Sequence, residues 1–161
     1  VEQHYPVGTK PAARLLLGFS KSGWGALSLL LRYPDIYGYA ASWDAPLLMD
    51  DDDFGLWGTD KHFGTKADYQ EHLPTTLARQ RAGALGKAPR LVLMGHQLFG
   101  NRWAAPKGSS HTATFHQLLN ELGIPHLYNN QLPAPHAWNK NWMAPAMDAL
   151  MDISQPGAKQ P

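Results

Sequence analysis

The sequence has no cysteine, which excludes disulfide bonds and any chemistry that depends on a thiolate. Its net charge is only +1, so it lacks the basic surplus of a nucleic-acid-binding or membrane-surface protein. It also has no apolar run long enough to cross a bilayer. These absences predict a protein with neither nucleic-acid partners nor a membrane span, and they leave its localisation open.

The composition that remains is that of a globular domain. Hydrophobic residues make up 43% of the 161 residues and charged residues 17%, which favours a packed core over a disordered chain. A chain of this length is typical of one domain. We predict a single domain over residues 1–153 and a flexible tail over residues 154–161, where the apolar pattern stops.

Short apolar runs alternate with helical patterns along the chain. Buried strands are predicted over residues 14–19, 37–43, 90–95 and 125–132. Helices are predicted over residues 22–34, 66–85, 110–123 and 139–153. This alternation indicates an α/β fold, with a mostly parallel sheet flanked by helices. Residues 44–65 form a long polar loop in this prediction, and such a length favours a functional role.

A turn between the first strand and the first helix carries the candidate nucleophile. In GFSKSG, Ser20 stands where a sharp strand-to-helix turn pushes its hydroxyl beyond the carboxyl edge of the sheet. The start of the helix adds free N–H groups and a positive dipole. Small residues are needed because strand and helix nearly touch, and Gly18, Ser22 and Gly23 supply them. The pattern also fits a tight corner without catalysis, since glycine and serine are common turn residues.

The segment GFSKSGWGALSLLLRYPDIYGYAASW resembles the nucleophile elbow of α/β-hydrolases of the esterase D and feruloyl-esterase branch. That branch reads G-x-S-x-G-G-x-G-A, followed by a helix ending in RYPD and then a strand. The matching residues are Gly18, Ser20, Gly23, Gly25 and Ala26. Ser22 replaces the glycine that completes G-x-S-x-G. A basic residue directly after the serine and a residue other than glycine two positions after it make this segment similar to the elbow of glucuronoyl esterases, G-x-S-R-x-G-x-G-A.

The resemblance implies a base and an acid that follow Ser20 in the order serine, acid, histidine. The segment LPAPHAWNKNW resembles the family's GGHDWxxW, with Trp138 and Trp142 retained, so His136 is the predicted base. His96 is the second candidate. The remaining histidines are assigned to the surface or to packing: His4, His62, His72, His111, His116 and His126.

The predicted acid departs from the family pattern. Leu98 stands where the family's Gly-x-x-Asp places its aspartate, and Asn101 would orient an imidazole only weakly. Pancreatic lipases and glucuronoyl esterases carry the acid after the preceding strand, which here ends in Trp43-Asp44. Asp44 is therefore the predicted acid, holding the tautomer of His136. Aspartate is also a common turn residue, so a purely structural Asp44 stays open.

The resemblance covers the carboxyl-terminal half of the family's domain. It implies an α/β-hydrolase fold lacking its N-terminal strands, with the backbone N–H of Lys21 as one oxyanion donor and no counterpart for the second. The predicted strand Arg14–Phe19 would then have one unpaired side. We expect that side to pair with a second copy of the chain or with the missing half, and a dilute monomer to be poorly stable.

Neither the acidic run nor the histidines predict a metal site. Residues 50–53 lack the glycine and the distant glutamate of a calcium loop and are expected to form a solvated charged loop. His111 and His116 are five residues apart, whereas a helical zinc pair is spaced by four. No cofactor is predicted.

The predicted function is a serine carboxylic-ester hydrolase that acts on a small-molecule ester through an acyl-enzyme. Trp43, Trp103 and Trp138 are predicted to bind the substrate at the carboxyl edge of the strands, together with Trp57 and Phe99. Three alternatives stay open: a catalytically inactive hydrolase-like binding module, a fragment that needs a second chain or self-association, and a peptidase of the prolyl-oligopeptidase type. The sequence leaves the acyl and alcohol groups of the substrate open.

Overall fold

The computed structural model describes residue 4 and residues 8–95, 110–132 and 134–155. Within this part of the chain the strands are β1 (Leu15–Phe19), β2 (Tyr39–Trp43), β3 (Leu91–Met94) and β4 (His126–Asn129). The helices are α1 (Lys21–Arg32), α2 (Thr59–Phe63), α3 (Lys66–His72), α4 (Pro74–Arg81), α5 (His111–Glu121) and α6 (Met143–Ser154). Each predicted strand corresponds to a strand of the structure, and each predicted helical stretch to one or two of its helices.

The strands are all parallel and lie in the order β1-β2-β3-β4. Phe19, Trp43 and Met94 are register partners across the first three strands, so the carboxyl ends of these strands lie side by side. The predicted α/β fold with a mostly parallel sheet is confirmed. Residues that directly follow these strands therefore meet at one edge of the sheet, where this architecture usually binds ligands.

Helices cover both faces of the sheet. On one face, Leu27 of α1 and Phe115 of α5 share a core cluster with Leu91 of β3. On the other face, Trp142 and helix α6 pack against β2 and β3, and Val92 belongs to that cluster. Leu91 and Val92 are neighbours that point to opposite faces, as the period of two in a strand requires. Because both faces are buried, the strands read as continuous apolar runs.

Helix α1 starts directly after Ser20. Leu27, Leu30 and Leu31 recur at helical spacing and are buried. The helix ends at Arg32, since the following proline at position 34 disfavours helical backbone before it. The buried side of α1 thus fixes how the start of the helix lies against the edge of the sheet.

The predicted long loop, residues 44–65, contains more structure than expected. Residues 47–49 are buried, two 3-10 turns follow, and α2 begins at Thr59. Turns this short have no periodicity that a sequence pattern could reveal. Pro74 separates α3 from α4 as predicted, and it opens α4 because a proline costs little in the first turn of a helix.

Strand β1 lies at one end of the sheet. It pairs with β2, and no other strand in the described ranges lies on its far side. The unpaired side expected for the strand Arg14–Phe19 is thus a feature of the described part of the chain.

The carboxyl-terminal end differs slightly from its prediction. Helix α6 continues through Ser154, so the predicted tail begins inside a helix, and residues 156–161 lie outside the described residues. Among the helices described, none combines the length and the hydropathy needed to cross a bilayer.

Candidate active site

The ends of the first three strands bring Ser20 and Asp44 next to each other in the sheet. The N–H of Ser20 donates a hydrogen bond of 2.9 Å to the carbonyl of Trp43, and the N–H of Asp44 donates one of 2.8 Å to the carbonyl of Met94. Each residue therefore extends the ladder of its strand by one bond. Both side chains consequently emerge at the carboxyl edge of the sheet.

The turn that holds Ser20 has an unusual backbone. Ser20 has φ 51° and ψ −123°, a positive φ that a residue with a side chain rarely adopts. Its carbonyl accepts the N–H of Trp24 at 3.1 Å, which begins α1. The turn also needs Gly18, because a Cβ there would lie 2.1 Å from the carbonyl oxygen of Ser22. A strained serine between a strand and a helix is the geometry of a nucleophile elbow.

Ser22 closes this turn with its side chain. Its hydroxyl donates to the carbonyl of Phe19 at 2.8 Å and accepts the N–H of Phe19 at 2.9 Å. The N–H of Ser20 points to β2, so these groups of Phe19 point to the opposite side of β1. The serine that replaces the expected glycine thus satisfies two backbone groups at the edge of the sheet.

His136 and Asp44 form a direct hydrogen bond. The distance from Nδ1 of His136 to Oδ2 of Asp44 is 2.7 Å, the carboxylate is fully buried, and the His136 side chain is 33% exposed. A carboxylate only accepts, so Nδ1 of the imidazole carries the proton in this bond. In the neutral ring Nε2 is then the basic nitrogen, and it lies on the side of the ring away from Asp44.

Aromatic packing holds His136 over the end of β1. The ring centroids of His136 and Phe19, the residue before Ser20, are 4.7 Å apart. Phe19 also packs on Trp142 at 5.6 Å and on Trp138 at 5.7 Å, and Nε1 of Trp142 donates to the carbonyl of Trp138 at 2.7 Å. The loop that carries His136 is thereby fixed against the strand that carries Ser20.

The backbone around Asp44 is tightly built. Asp44 has φ 47°, and Gly95, which follows β3, has φ 92°. A Cβ on Gly95 would lie 2.7 Å from the Cβ of Asp44. Only glycine fits at position 95, because both its conformation and the close approach of Asp44 exclude a side chain. The buried carboxylate is therefore held in one position.

His111 is a residue near this site that the sequence interpretation assigned to the surface or to packing. It is fully buried, and its Nδ1 accepts the N–H of Leu48 at 3.1 Å, so Nε2 carries the proton of the neutral ring. Burial lowers the pKa of His111 to about 4, and the negative charge of Asp44 acts in the opposite direction. The sequence does carry one signal of this burial, because His111 lies four residues before Phe115 and therefore on the same side of α5.

The buried His111 predicts that acid destabilises the fold. The unfolded chain takes up this proton near pH 6.5 and the folded chain only near pH 4. Between these values the unfolded state binds more protons, so the free energy of unfolding falls by about 2 kcal/mol from pH 7 to pH 4.5. Urea unfolding at the two pH values measures this loss. His111→Gln is the control, since glutamine does not titrate, and an equal loss in that variant would contradict the prediction.

The remaining predicted site residues lie in different surroundings. Lys21 begins α1, and its Nζ lies 5.1 Å from the centre of the Trp57 ring. Trp138 is 60% exposed beside His136. Trp43 is fully buried in the core cluster with Trp142. The prediction that Trp43 contacts a substrate is therefore wrong. The other residues that the sequence analysis considers for the site lie outside the described residues: His96, Leu98, Phe99, Asn101 and Trp103.

The acidic run is a structural turn. Asp50 caps the 3-10 turn Asp51–Asp53 by accepting the N–H of Asp52, and Asp53 accepts the N–H of Asp50. Asp53 is buried, which corrects the prediction of a solvated charged loop at that residue. In the described ranges no group of three or more histidine, aspartate or glutamate side chains is placed to hold a metal ion.

The sequence matches a known protein family. A family model described as "Putative esterase" matches residues 1–152. Among curated proteins, none matches the sequence significantly.

Nearly the whole chain can be superposed on solved structures of hydrolases. S-formylglutathione hydrolase of Staphylococcus aureus has a TM-score of 0.66 and 19% identity, over 96% of this chain and 56% of its own. FphF, a fluorophosphonate-binding serine hydrolase of Staphylococcus aureus, has a TM-score of 0.72 and 18% identity, over 96% and 59%. A ferulic acid esterase has a TM-score of 0.64 and 16% identity, over 94% and 55%. At these identities the similarity shows the fold, and the chain spans 55% to 59% of these structures.

Proposed function

Because this chain belongs to the esterase family whose model matches residues 1–152, we propose that it is a serine esterase that hydrolyses small-molecule carboxylic esters. One observation carries the proposal. A buried carboxylate, Asp44, holds His136 by a hydrogen bond of 2.7 Å at the edge of the sheet where a strained turn presents Ser20. A serine, a histidine and an aspartate in these roles form a nucleophilic triad.

The first half-reaction transfers the acyl group to Ser20. Oγ of Ser20 attacks the ester carbonyl carbon while Nε2 of His136 takes the hydroxyl proton. Asp44 keeps Nδ1–H of the ring in place and stabilises the imidazolium that forms. When the tetrahedral intermediate collapses, the bond from carbon to the alcohol oxygen breaks. His136 gives its proton to that oxygen, and the alcohol leaves an acyl-Ser20 ester behind.

The second half-reaction uses water as the nucleophile. His136 takes a proton from the water while its oxygen attacks the acyl carbon. The bond to Oγ of Ser20 breaks, the proton returns to Oγ, and the carboxylic acid departs. The net reaction consumes one water molecule and needs no cofactor.

The start of α1 stabilises the negative oxygen of both intermediates. The backbone N–H of Lys21 is the first N–H after the nucleophile, and the helix dipole adds positive potential at the same place. The exposed ring of Trp138, close to His136, contacts the substrate in this proposal. Trp43 has no such role, because it is buried.

An active-site-directed probe tests the proposal. A fluorophosphonate, which phosphonylates activated serines, is expected to label the chain at Ser20 and to fail with the Ser20→Ala and His136→Ala variants. Intact-mass and peptide analysis locate the modification. A folded protein that is not labelled would contradict the proposal and would favour the hydrolase-like binding module instead.

The free side of β1 leads to a proposal on assembly. Leu15 and Leu17 turn their backbone groups to that side, whereas those of Phe19 are bonded to Ser22. We propose that the edge pairs with another strand, from a second copy or from the part of the fold that the longer relatives have. If the partner is a second copy, the melting temperature is expected to rise with the concentration of the chain. A monodisperse monomer with a concentration-independent melt would rule out the second copy as the partner.

A further inference from the structure

A cavity of about 340 Å³ lies beside the turn that presents Ser20. Lys21 and Gly25, on the first turns of α1, line one side of it. Pro46 and Met49, which follow Asp44, line another. The cavity is therefore built in part by residues within five positions of two proposed catalytic groups, Ser20 and Asp44.

Aromatic rings form a connected wall of this cavity. The ring of Phe63 lies 6.0 Å from that of Trp24 and 5.4 Å from that of Tyr69, both tilted rather than parallel. Trp57, which is 43% exposed, forms the outer side. An apolar cavity of about 150 Å³ is enough to hold benzene. The cavity, which reaches the turn through Lys21, therefore has room for two fused rings and walls that suit a flat, apolar group.

The described lining of the cavity contains one lysine and no carboxylate. Of the described residues that line it, the ionisable ones are Lys21, His62 and Tyr69, and none carries a carboxylate. The ammonium group of Lys21 lies 5.1 Å above the ring of Trp57, at the exposed side. Burial and the nearby Asp53 raise the pKa of Tyr69, so its phenol stays neutral.

The acidic run behind Tyr69 has its own partners. Asp51 forms an ion pair of 3.9 Å with Lys66 and accepts a hydrogen bond from Gln70. Asp53 accepts the N–H of Asp50 within the 3-10 turn. Of the described residues that line the cavity, Lys21 is the lysine that a ligand can contact.

We propose that this cavity binds the ring-bearing part of an ester that also carries an anionic group. The rings of Trp24, Trp57 and Phe63 enclose the ring system, and the Lys21 ammonium contacts the anion. This inference rests on the proposed esterase function, since it assigns the cavity to the substrate. Gly25 sets the size of the group that fits. Gly25 lines the cavity and a Cβ added there meets nothing within 4 Å, so we expect a larger side chain at this position to occupy part of the space.

Equilibrium binding tests the inference without turnover. The anionic ligand 2-naphthoate and its neutral counterpart 2-naphthamide are titrated into the chain by calorimetry. We expect 2-naphthoate to bind at least about fivefold more tightly, as a single partly exposed charge pair allows. Lys21→Met removes the charge but keeps the backbone N–H, and it is expected to abolish the preference. Lys61→Met, on the exposed part of α2, is the matched control and keeps it.

A second pair of variants tests the size of the cavity. Gly25→Leu is expected to weaken the binding of both ligands by at least about tenfold, because the side chain fills the space. Gly83→Leu is the control, since a Cβ at Gly83 also meets nothing within 4 Å and Gly83 does not line the cavity. Should Gly25→Leu fail to fold, Trp57→Ala is expected to weaken both ligands through the loss of an exposed ring.

The outcomes separate this inference from the proposed function. No binding, equal affinity for both ligands, or a preference that survives Lys21→Met overturns the inference. So does unchanged binding in folded Gly25→Leu. Ester hydrolysis without selective 2-naphthoate binding refutes the inference alone. Selective binding by a chain that hydrolyses no ester and takes no fluorophosphonate supports the cavity site and refutes the esterase function alone.

Discussion

Replacing Ser20 by alanine is expected to lower kcat/KM for a simple aryl ester by at least about 10⁴-fold. The variant keeps the turn, the Asp44–His136 hydrogen bond and the helix start, and it loses only the oxygen that attacks the carbonyl. No acyl-enzyme can then form, so the remaining rate reflects binding and the oxyanion donor alone. Hydrolysis of 4-nitrophenyl acetate, followed by absorbance, measures the effect.

Ser28→Ala is the matched control for this experiment. Ser28 lies on the same helix, is buried, and donates to the carbonyl of His72 at 3.0 Å, away from the edge of the sheet. We expect its kcat/KM to stay within about twofold of the parent chain, with a modest loss of stability from the missing hydrogen bond. A Ser20→Ala protein that keeps the parent rate would remove Ser20 from the reaction.

Asp44→Asn is expected to lower kcat by about 10³- to 10⁴-fold. The substitution keeps the volume of the side chain, but the amide N–H₂ can donate to Nδ1 of His136. That bond favours the tautomer with the proton on Nε2, which cannot accept a proton from Ser20. The imidazolium of His136 also loses the negative charge beside it. Steady-state rates with the same ester measure the loss of kcat, and an unfolding curve shows whether the variant is folded.

The control for Asp44→Asn is the other buried aspartate, Asp53. Asp53→Asn keeps an oxygen that can accept the N–H of Asp50 and does not touch the site, so we expect the rate to remain close to that of the parent chain. If a folded Asp44→Asn protein hydrolysed the ester as fast as the parent, Asp44 would be a structural turn residue, as its sequence position also allows.

The position of Ser20 in a strand-to-helix turn could be predicted because it depends only on the sequence around it. A continuous apolar strand, three small residues and an amphipathic helix place Ser20 at a strand-to-helix turn whatever the rest of the fold does. The order of parallel strands then places Asp44 at the same edge. The structure adds what no local rule contains, namely the distance of 2.7 Å that joins Asp44 to His136 across 92 positions of the chain.

Residues whose role depends on packing were not predictable in the same way. In YAASW every residue after the first is buried, so the sequence does not reveal that Trp43 points into the cluster under α6. His111 was assigned to the surface or to packing, and the sequence could not show that it supports the segment after Asp44. The rings of the cavity come from short turns and helices within residues 54–69, whose mutual arrangement has no periodic signal.

With serine at position 22, the turn keeps its shape without the second glycine of G-x-S-x-G, because the hydroxyl of Ser22 bonds to the backbone of Phe19. Alanine at this position would lose both hydrogen bonds to Phe19, whereas threonine keeps a hydroxyl that can make them. Search patterns that demand glycine here pass over turns with the same geometry. A strand-to-helix turn of this geometry therefore does not require the second glycine of G-x-S-x-G.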